Sequence, residues 1–99
     1  MNALDASQWS PLEYAVYKNY PDVFRMLLDS KAEVNTTDKD AWTPLLYAAY
    51  ENHTAMAEAL IDRGANVNQR GKDNSTPLNV ARAAKNEELI RYLQSHGAH

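Results

Sequence analysis

Few side chains in this chain of 99 residues have the types and spacing that catalysis or metal binding requires. Without any cysteine, the chain has no thiolate nucleophile and no zinc–cysteine site. Its three histidines show no metal-ligand spacing, and the paired carboxylates Glu87–Glu88 and Asp38/Asp40 fall on expected solvent faces. It carries no glycine-rich phosphate loop and no Ser/His/Asp motif. We therefore expect a protein that is not an enzyme and that uses no cofactor and no metal.

Bulky aromatic residues recur in a pattern that favours binding instead. Trp9 and Trp42 lie 33 residues apart, and so do Tyr17 and Tyr50. Tryptophan and tyrosine bury a large area at a small cost in entropy and keep a polar group for hydrogen bonding, so they are frequent in interface hot spots. Whether they can share one surface depends on the elements that carry them.

The interval of 33 residues runs through almost the whole chain. A hydroxyl–proline–leucine tripeptide begins at Ser10, Thr43 and Thr76. Alanines and leucines hold the same register: Ala15, Ala48 and Ala81, then Leu27, Leu60 and Leu93. A repeat of this length indicates stacked copies of one unit that share a core. We expect one domain over residues 1–99, with repeats at approximately 5–37, 38–70 and 71–99.

Each repeat contains the start and stop signals of two helices. In the middle repeat, Thr43 is a predicted N-cap and Pro44 occupies the first helical position. The first helix should end at Asn52, because asparagine tolerates the left-handed conformation that closes helices. The second should run from about residue 54 to 63, with Gly64 as its stop. Each unit is therefore a turn, a short helix, a tight loop and a longer helix.

These residues resemble the ankyrin repeat. That family carries a Thr-Pro-Leu-His signature, an alanine pair and a Gly-Ala-Asp-Val-Asn ending, and the middle repeat reads TPLLYAA at 43–49 and GANVN at 64–68. The resemblance covers about residues 5–99. It implies an all-α ankyrin-repeat solenoid of stacked helix-turn-helix units with hairpin-like finger turns. Fingers and first helices would together form a concave groove.

The chain departs from the family pattern at three kinds of position. The signature histidine is replaced by Glu13, Leu46 and Asn79, of which Glu13 can form a capping box with Ser10. Lys31 stands where the other repeats have glycine, at a cost of about 1 kcal/mol if the position is left-handed.

The finger glycine is replaced by Gln8, Ala41 and Asn74. Because only asparagine readily accepts positive φ, we expect distorted finger turns in the first two repeats.

The resemblance places the finger tips and the ends of the first helices on the concave side. The residues expected to bind a partner there are Trp9, Tyr17, Lys18, Lys39, Asp40, Trp42, Tyr50, Glu51, Lys72 and Asp73. Alternatively, the four rings pack sideways against neighbouring fingers and stiffen the stack; for Tyr14 and Tyr47 we expect such core packing. Three lysines balance three acidic residues in this set, so affinity should depend more on apolar anchoring than on electrostatic steering.

The two ends of the stack differ in polarity. The third repeat is rich in polar residues, as a terminal repeat should be. The first repeat is as apolar as an internal one, at Val16, Phe24, Met26 and Leu28. Three interpretations are open: the chain is a fragment of a longer array, its first repeat is covered by a partner or a second copy, or these side chains fold inward.

Charge and hydropathy exclude other classes of partner. The net charge is −3 and the charges are interspersed, without the basic stripe of nucleic-acid binders. No apolar run approaches the roughly 18 residues needed to span a bilayer, and no signal peptide is recognisable, so we expect a cytoplasmic protein. The sequence predicts a protein–protein interaction module. The alternatives are a self-associating structural piece and an inhibitory, immunity or regulatory subunit of an enzyme.

Overall fold

The structure is a stack of three antiparallel helix pairs. The computed structural model of the protein describes residues 9–98. Their helices are α1 (Pro11–Lys18), α2 (Pro21–Asp29), α3 (Pro44–Tyr50), α4 (Thr54–Asp62), α5 (Pro77–Ala83) and α6 (Glu87–Ser95). The first helices of the pairs contact each other in the order α1, α3, α5, and α4 contacts α6. Residues 9–98 contain no strand, so the expected all-α stack is confirmed.

Each first helix begins as the tripeptides predict. Proline follows an N-cap hydroxyl that accepts a backbone N–H three residues on: Ser10 from Glu13 at 3.1 Å, Thr43 from Leu46 at 3.2 Å and Thr76 from Asn79 at 3.1 Å. In the first repeat the Glu13 carboxylate accepts the N–H of Ser10 at 2.8 Å. The predicted capping box is therefore present.

Small residues let the first helices approach one another. Ala15, Ala48 and Ala81 are fully buried in the core, where a larger side chain would separate the helices. Leucines from both helices of the pairs, among them Leu45, Leu60, Leu89 and Leu93, fill the remaining space. The core is thus continuous through all three repeats.

Polar side chains join neighbouring repeats at the C-terminal ends of the second helices. The Asn35 amide donates to the Gly64 carbonyl at 3.3 Å and its oxygen accepts the N–H of Asn66 at 2.7 Å. The Arg63 guanidinium donates to the Leu28 carbonyl at 2.6 Å. These bonds satisfy backbone groups at the helix ends and fix the spacing of the repeats.

The fingers are tight turns that also bond to each other. Residues 38–42 and 71–75 form equivalent turns, closed by N–H···O bonds from Asp38 to Trp42 at 3.0 Å and from Gly71 to Ser75 at 2.9 Å. The N–H of Lys72 donates to the Asp40 carbonyl at 2.9 Å. Successive fingers are therefore held side by side.

The finger turn of the second repeat is not distorted. Ala41 adopts φ 61°, close to the 68° of Asn74, and both N–H groups close the same turn at 2.9 Å. The prediction of a distorted second finger is therefore wrong. The Asp38 carboxylate overrides the local preference of alanine by accepting the N–H groups of Asp40 and Trp42. Gln8 lies outside the described residues.

Lys31 takes the left-handed conformation expected from its register. Its φ is 63°, and the equivalent residues Gly64 and Gly97 of the other repeats have φ of 95° and 92°. A lysine thus occupies a positive-φ position where the other repeats have glycine. The side chain is exposed and makes no ion pair among residues 9–98. The backbone strain at this position is consequently uncompensated by a contact.

Lys31→Gly should raise the free energy of unfolding by about 0.5–1 kcal/mol, because glycine adopts positive φ without steric cost. Urea denaturation at neutral pH measures the difference. The matched control is Lys39→Gly, an exposed turn lysine whose φ is not positive, and it should not stabilise. An unchanged or lower stability of Lys31→Gly would contradict the assignment of strain.

Candidate functional site

Seven aromatic rings from the first two repeats form a connected group on the side of the fingers and first helices. We call it the aromatic cluster; its members are Trp9, Tyr14, Tyr17, Tyr20, Trp42, Tyr47 and Tyr50. Tyr47 is central, with ring centroids 5.1 Å from Trp42 and 5.7 Å from Trp9. The mutual angles of 55° and 61° are tilted and edge-on geometries that aromatic pairs favour.

Helical spacing and the finger turns place these rings. Tyr47 and Tyr50 are three residues apart on α3, so they share one face. Trp42 leaves the second finger and lies against Gly71 of the third, where a Cβ atom would overlap the indole. Its Nε1–H points to the Asp73 carboxylate at 3.4 Å. Trp42 therefore connects two fingers while remaining half-buried.

Two clefts open on either side of Trp42. One, of 490 Å³, is lined by Tyr17, Asp40, Trp42, Tyr47, Tyr50, Lys72 and Asp73. The other, of 610 Å³, is lined by Trp42, Tyr50, Asp73, Ser75, Asn79, Val80, Ala83 and Ala84. We call them the aromatic cleft and the C-terminal cleft. Trp42, Tyr50 and Asp73 line both, so these three residues stand between them.

Six of the ten residues predicted to bind a partner meet in the aromatic cleft. They are Tyr17, Asp40, Trp42, Tyr50, Lys72 and Asp73. Trp9 lies beside them, with its ring centroid 4.9 Å from that of Tyr17. The Lys18 ammonium lies 5.9 Å from the ring centre of Tyr14 and 6.0 Å from that of Tyr17.

Lys39 and Glu51 line neither cleft. Lys39 is exposed on the finger, and Glu51 caps α3 through its backbone N–H.

Six residues that line the clefts are not among the ten predicted: Tyr47, Ser75, Asn79, Val80, Ala83 and Ala84. Tyr47 was expected to pack in the core and is half-buried, but its ring also forms a wall of the aromatic cleft. A signal existed, because Tyr47 lies one turn before Tyr50 on the same helical face. Tyr14 was expected to be packed as well, yet it is 37% exposed.

A buried polar group lies beneath the aromatic cluster. The Asp38 carboxylate accepts the N–H groups of Asp40 at 2.9 Å and Trp42 at 3.0 Å, and the Tyr47 hydroxyl donates to its other oxygen. Burial, and then the hydrogen bond to Asp38, raise the pKa of Tyr47, so the phenol stays neutral and remains a donor. The Tyr47 ring is thereby held in place between the indoles.

Glu13 lies fully buried close to this group. Its Oε1 atom accepts the N–H of Ser10, while Oε2 has no hydrogen-bond partner among residues 9–98. Burial, with a smaller contribution from the Asp38 charge, raises the pKa of Glu13 from 4.5 to about 7. In the folded protein the Glu13 carboxyl is therefore mainly protonated below pH 7 and mainly ionised above it.

None of the helices within 9–98 is long and apolar enough to cross a membrane. The same residues contain no group of three or more His, Cys, Asp or Glu side chains that could hold a metal ion.

Comparison with known proteins identifies the repeat. The family model for ankyrin repeats, built of three copies, matches residues 12–99. The chain matches no curated protein at a significant level.

The stability of the protein should fall as the pH rises through neutrality, because of Glu13. The folded pKa lies above the unfolded value, so the stabilising contribution is complete below pH 4.5 and is lost as the pH passes 7. The rise in the pKa of Glu13 from 4.5 to about 7 corresponds to about 3 kcal/mol in the free energy of unfolding.

Urea denaturation of wild type and Glu13→Gln from pH 5 to 8 measures this. The amide keeps an acceptor for Ser10 and cannot ionise, so the variant should gain stability relative to wild type as the pH rises. Parallel stability curves would show that Glu13 does not titrate in this range.

Proposed function

The chain belongs to the ankyrin-repeat family, and we propose that it binds a partner protein through the aromatic cluster and the two clefts beside Trp42. Protein–protein interaction is the general role of ankyrin repeats. The proposal adds the surface, which no comparison assigns. It treats the chain as a non-catalytic module whose recognition depends on aromatic side chains.

The exposure of Tyr50 is the observation that carries this proposal. Tyr50 is 63% exposed although its ring packs on Trp42 with centroids 5.7 Å apart. Tyr17 is exposed on the opposite wall of the aromatic cleft. Large apolar surface that a monomer leaves open and that is rimmed by charges favours a binding site.

Preorganisation of the cluster should make binding efficient. The Trp42 indole is positioned by Gly71 and Asp73, and the Tyr47 ring by its bond to Asp38. These rings lose little further freedom when a partner arrives, so less of the interaction energy is spent on ordering side chains.

A second surface supports self-association as an additional function. Val16, Phe24 and Leu28 of the first repeat fold inward, but Met26 is 65% exposed and Val23 is 44% exposed. In register, Val23 corresponds to the buried residues Met56 and Leu89. In repeats two and three this position is buried within the stack, whereas residues 9–98 include no repeat that packs on this face of the first repeat. We call it the N-terminal face.

The occupant we infer for the N-terminal face is a second copy of this chain. Asp22 and Arg25 are exposed on the same helix as Val23 and Met26. In a twofold pair, the acid of one copy can face the base of the other around an apolar centre. The surface is therefore complementary to itself.

Tyr50→Ala should weaken partner binding by about 2 kcal/mol, or about 30-fold in Kd, because it removes an exposed anchor shared by both clefts. Affinity capture from cells that encode the chain supplies the partner, and calorimetry on the captured protein measures Kd. Helical circular dichroism should remain unchanged. Met26→Ala is the control of matched exposure outside the clefts and should bind like wild type; equal binding by Tyr50→Ala would reject the surface.

Met26→Glu should abolish self-association, because twofold pairing would bring two carboxylates into the apolar centre. Light scattering and sedimentation at tens of micromolar should give a dimer for wild type and for Tyr50→Ala, and a monomer for Met26→Glu. A monomeric wild type, or a dimer that survives Met26→Glu, excludes association through the N-terminal face.

A further inference from the structure

The aromatic cleft combines ring faces with negative charge. Four rings line it, those of Tyr17, Trp42, Tyr47 and Tyr50. Two carboxylates, Asp40 and Asp73, and one ammonium, Lys72, complete the lining. Aromatic faces carry negative electrostatic potential, so rings and carboxylates both attract a cation, and the charge of the lining itself is −1.

We propose that the aromatic cleft receives the guanidinium group of an arginine side chain from the partner protein. This assignment rests on the proposed function and adds the chemical class of the group that is recognised. It concerns the aromatic cleft, which has four rings and two carboxylates, whereas the C-terminal cleft has two rings, Trp42 and Tyr50, and one carboxylate, Asp73.

The shape of the guanidinium group suits this lining better than that of an ammonium. It is planar and weakly hydrated, so it can stack on an aromatic face while its N–H groups form a fork with a carboxylate. A lysine ammonium is a compact, strongly hydrated charge and would lose more hydration on entering between rings. A carboxylate from the partner would face both aspartates and is disfavoured.

Asp40 is placed to accept such a fork. Its backbone is engaged, with the N–H donating to Asp38 and the carbonyl accepting from Lys72. This fixes the residue at the tip of the second finger, and its exposed side chain lines the cleft. The carboxylate is thus held at the rim, where it makes no hydrogen bond or ion pair with another of residues 9–98.

Asp73 increases the attraction of the Trp42 ring for a cation. The N–H of Ser75 and the Trp42 indole N–H lower the pKa of Asp73, so it is ionised at neutral pH. An indole that donates to an anion gains electron density, and its face then attracts a cation more strongly. Trp42 is accordingly the ring on which we expect the guanidinium to stack.

The negative charge of the aromatic cleft is not apparent from the ten predicted residues taken together. Over all ten residues, three lysines cancel three acids. The fold leaves Lys18, Lys39 and Glu51 outside the cleft and keeps two acids and one lysine within it. Apolar anchoring and charge recognition therefore act at the same place.

The test is a titration with N-acetyl-arginine-N-methylamide, followed in ¹H–¹⁵N spectra. The chain has two tryptophans, so two indole N–H signals are expected, and Trp9→Phe assigns them. We expect a saturable shift of the Trp42 signal in the millimolar range, while the Trp9 signal outside the cleft moves little. The corresponding citrulline compound has the same shape without the charge and should leave Trp42 unchanged.

Two variants that each remove one carboxylate charge test whether Asp40 binds the arginine compound. Asp40→Asn should weaken binding of the arginine compound about two- to fivefold, as expected for an exposed charge pair. Asp22→Asn removes the same charge from α2, away from the cleft, and should have no effect. Equal shifts with citrulline or N-acetyl-lysine-N-methylamide, no saturable shift, or an Asp40→Asn variant that binds like wild type would each overturn the assignment.

These outcomes are separable from failure of the proposed function. If Tyr50→Ala loses the partner but the arginine compound is not preferred, the surface binds protein without an arginine site. If the partner binds Tyr50→Ala as well as wild type, the proposed function fails, whatever the small compounds do.

Discussion

The close approach of the first helices is the constraint on which the other features of the structure depend. Ala15, Ala48 and Ala81 occupy the contact positions, and each is fully buried. With larger side chains there, the pairs would separate, and the fingers could not exchange the bond between Lys72 and Asp40. Because the pairs stack closely, a ring of one repeat reaches those of the next, as Tyr47 does with Trp9. The aromatic cluster therefore depends on the small residues Ala15 and Ala48, and the contact between the second and third fingers on Ala48 and Ala81.

Trp42 illustrates how support and recognition can reside in one side chain. The alternatives of a ring that stiffens the stack and a ring that contacts a partner do not exclude each other here. One part of the indole lies on Gly71 and bonds to Asp73, while another lines both clefts. Replacing Trp42 therefore changes the fingers and the surface together. Tyr50, which is exposed at the end of α3, separates the two effects.

Features that follow from the type of a residue and its position in the repeat could be predicted, and those that depend on contacts of particular side chains could not. Caps, helix ends and the left-handed Lys31 follow from repeat register and known capping chemistry. Ala41 could not be predicted, because the Asp38 side chain imposes its conformation. Nor could register select which charged residues share a cleft: Asp40 lies in it and its neighbour Lys39 does not. That selection depends on where successive fingers meet.

The opposite polarity of the two ends limits how copies of the chain can associate. Val16, Ala49 and Arg82 occupy equivalent positions in the three repeats, on the side that faces the following repeat. Val16 and Ala49 are buried, whereas Arg82 in the third repeat is exposed. Likewise Leu28 and Ile61 are buried, whereas Gln94 is exposed. Head-to-tail stacking would place the exposed Arg82 and Gln94 against the apolar N-terminal face, and both side chains would lose hydration. Twofold pairing of two N-terminal faces avoids that cost and leaves both polar ends in water. It also closes the assembly at two copies, so the asymmetry that permits a dimer opposes a filament.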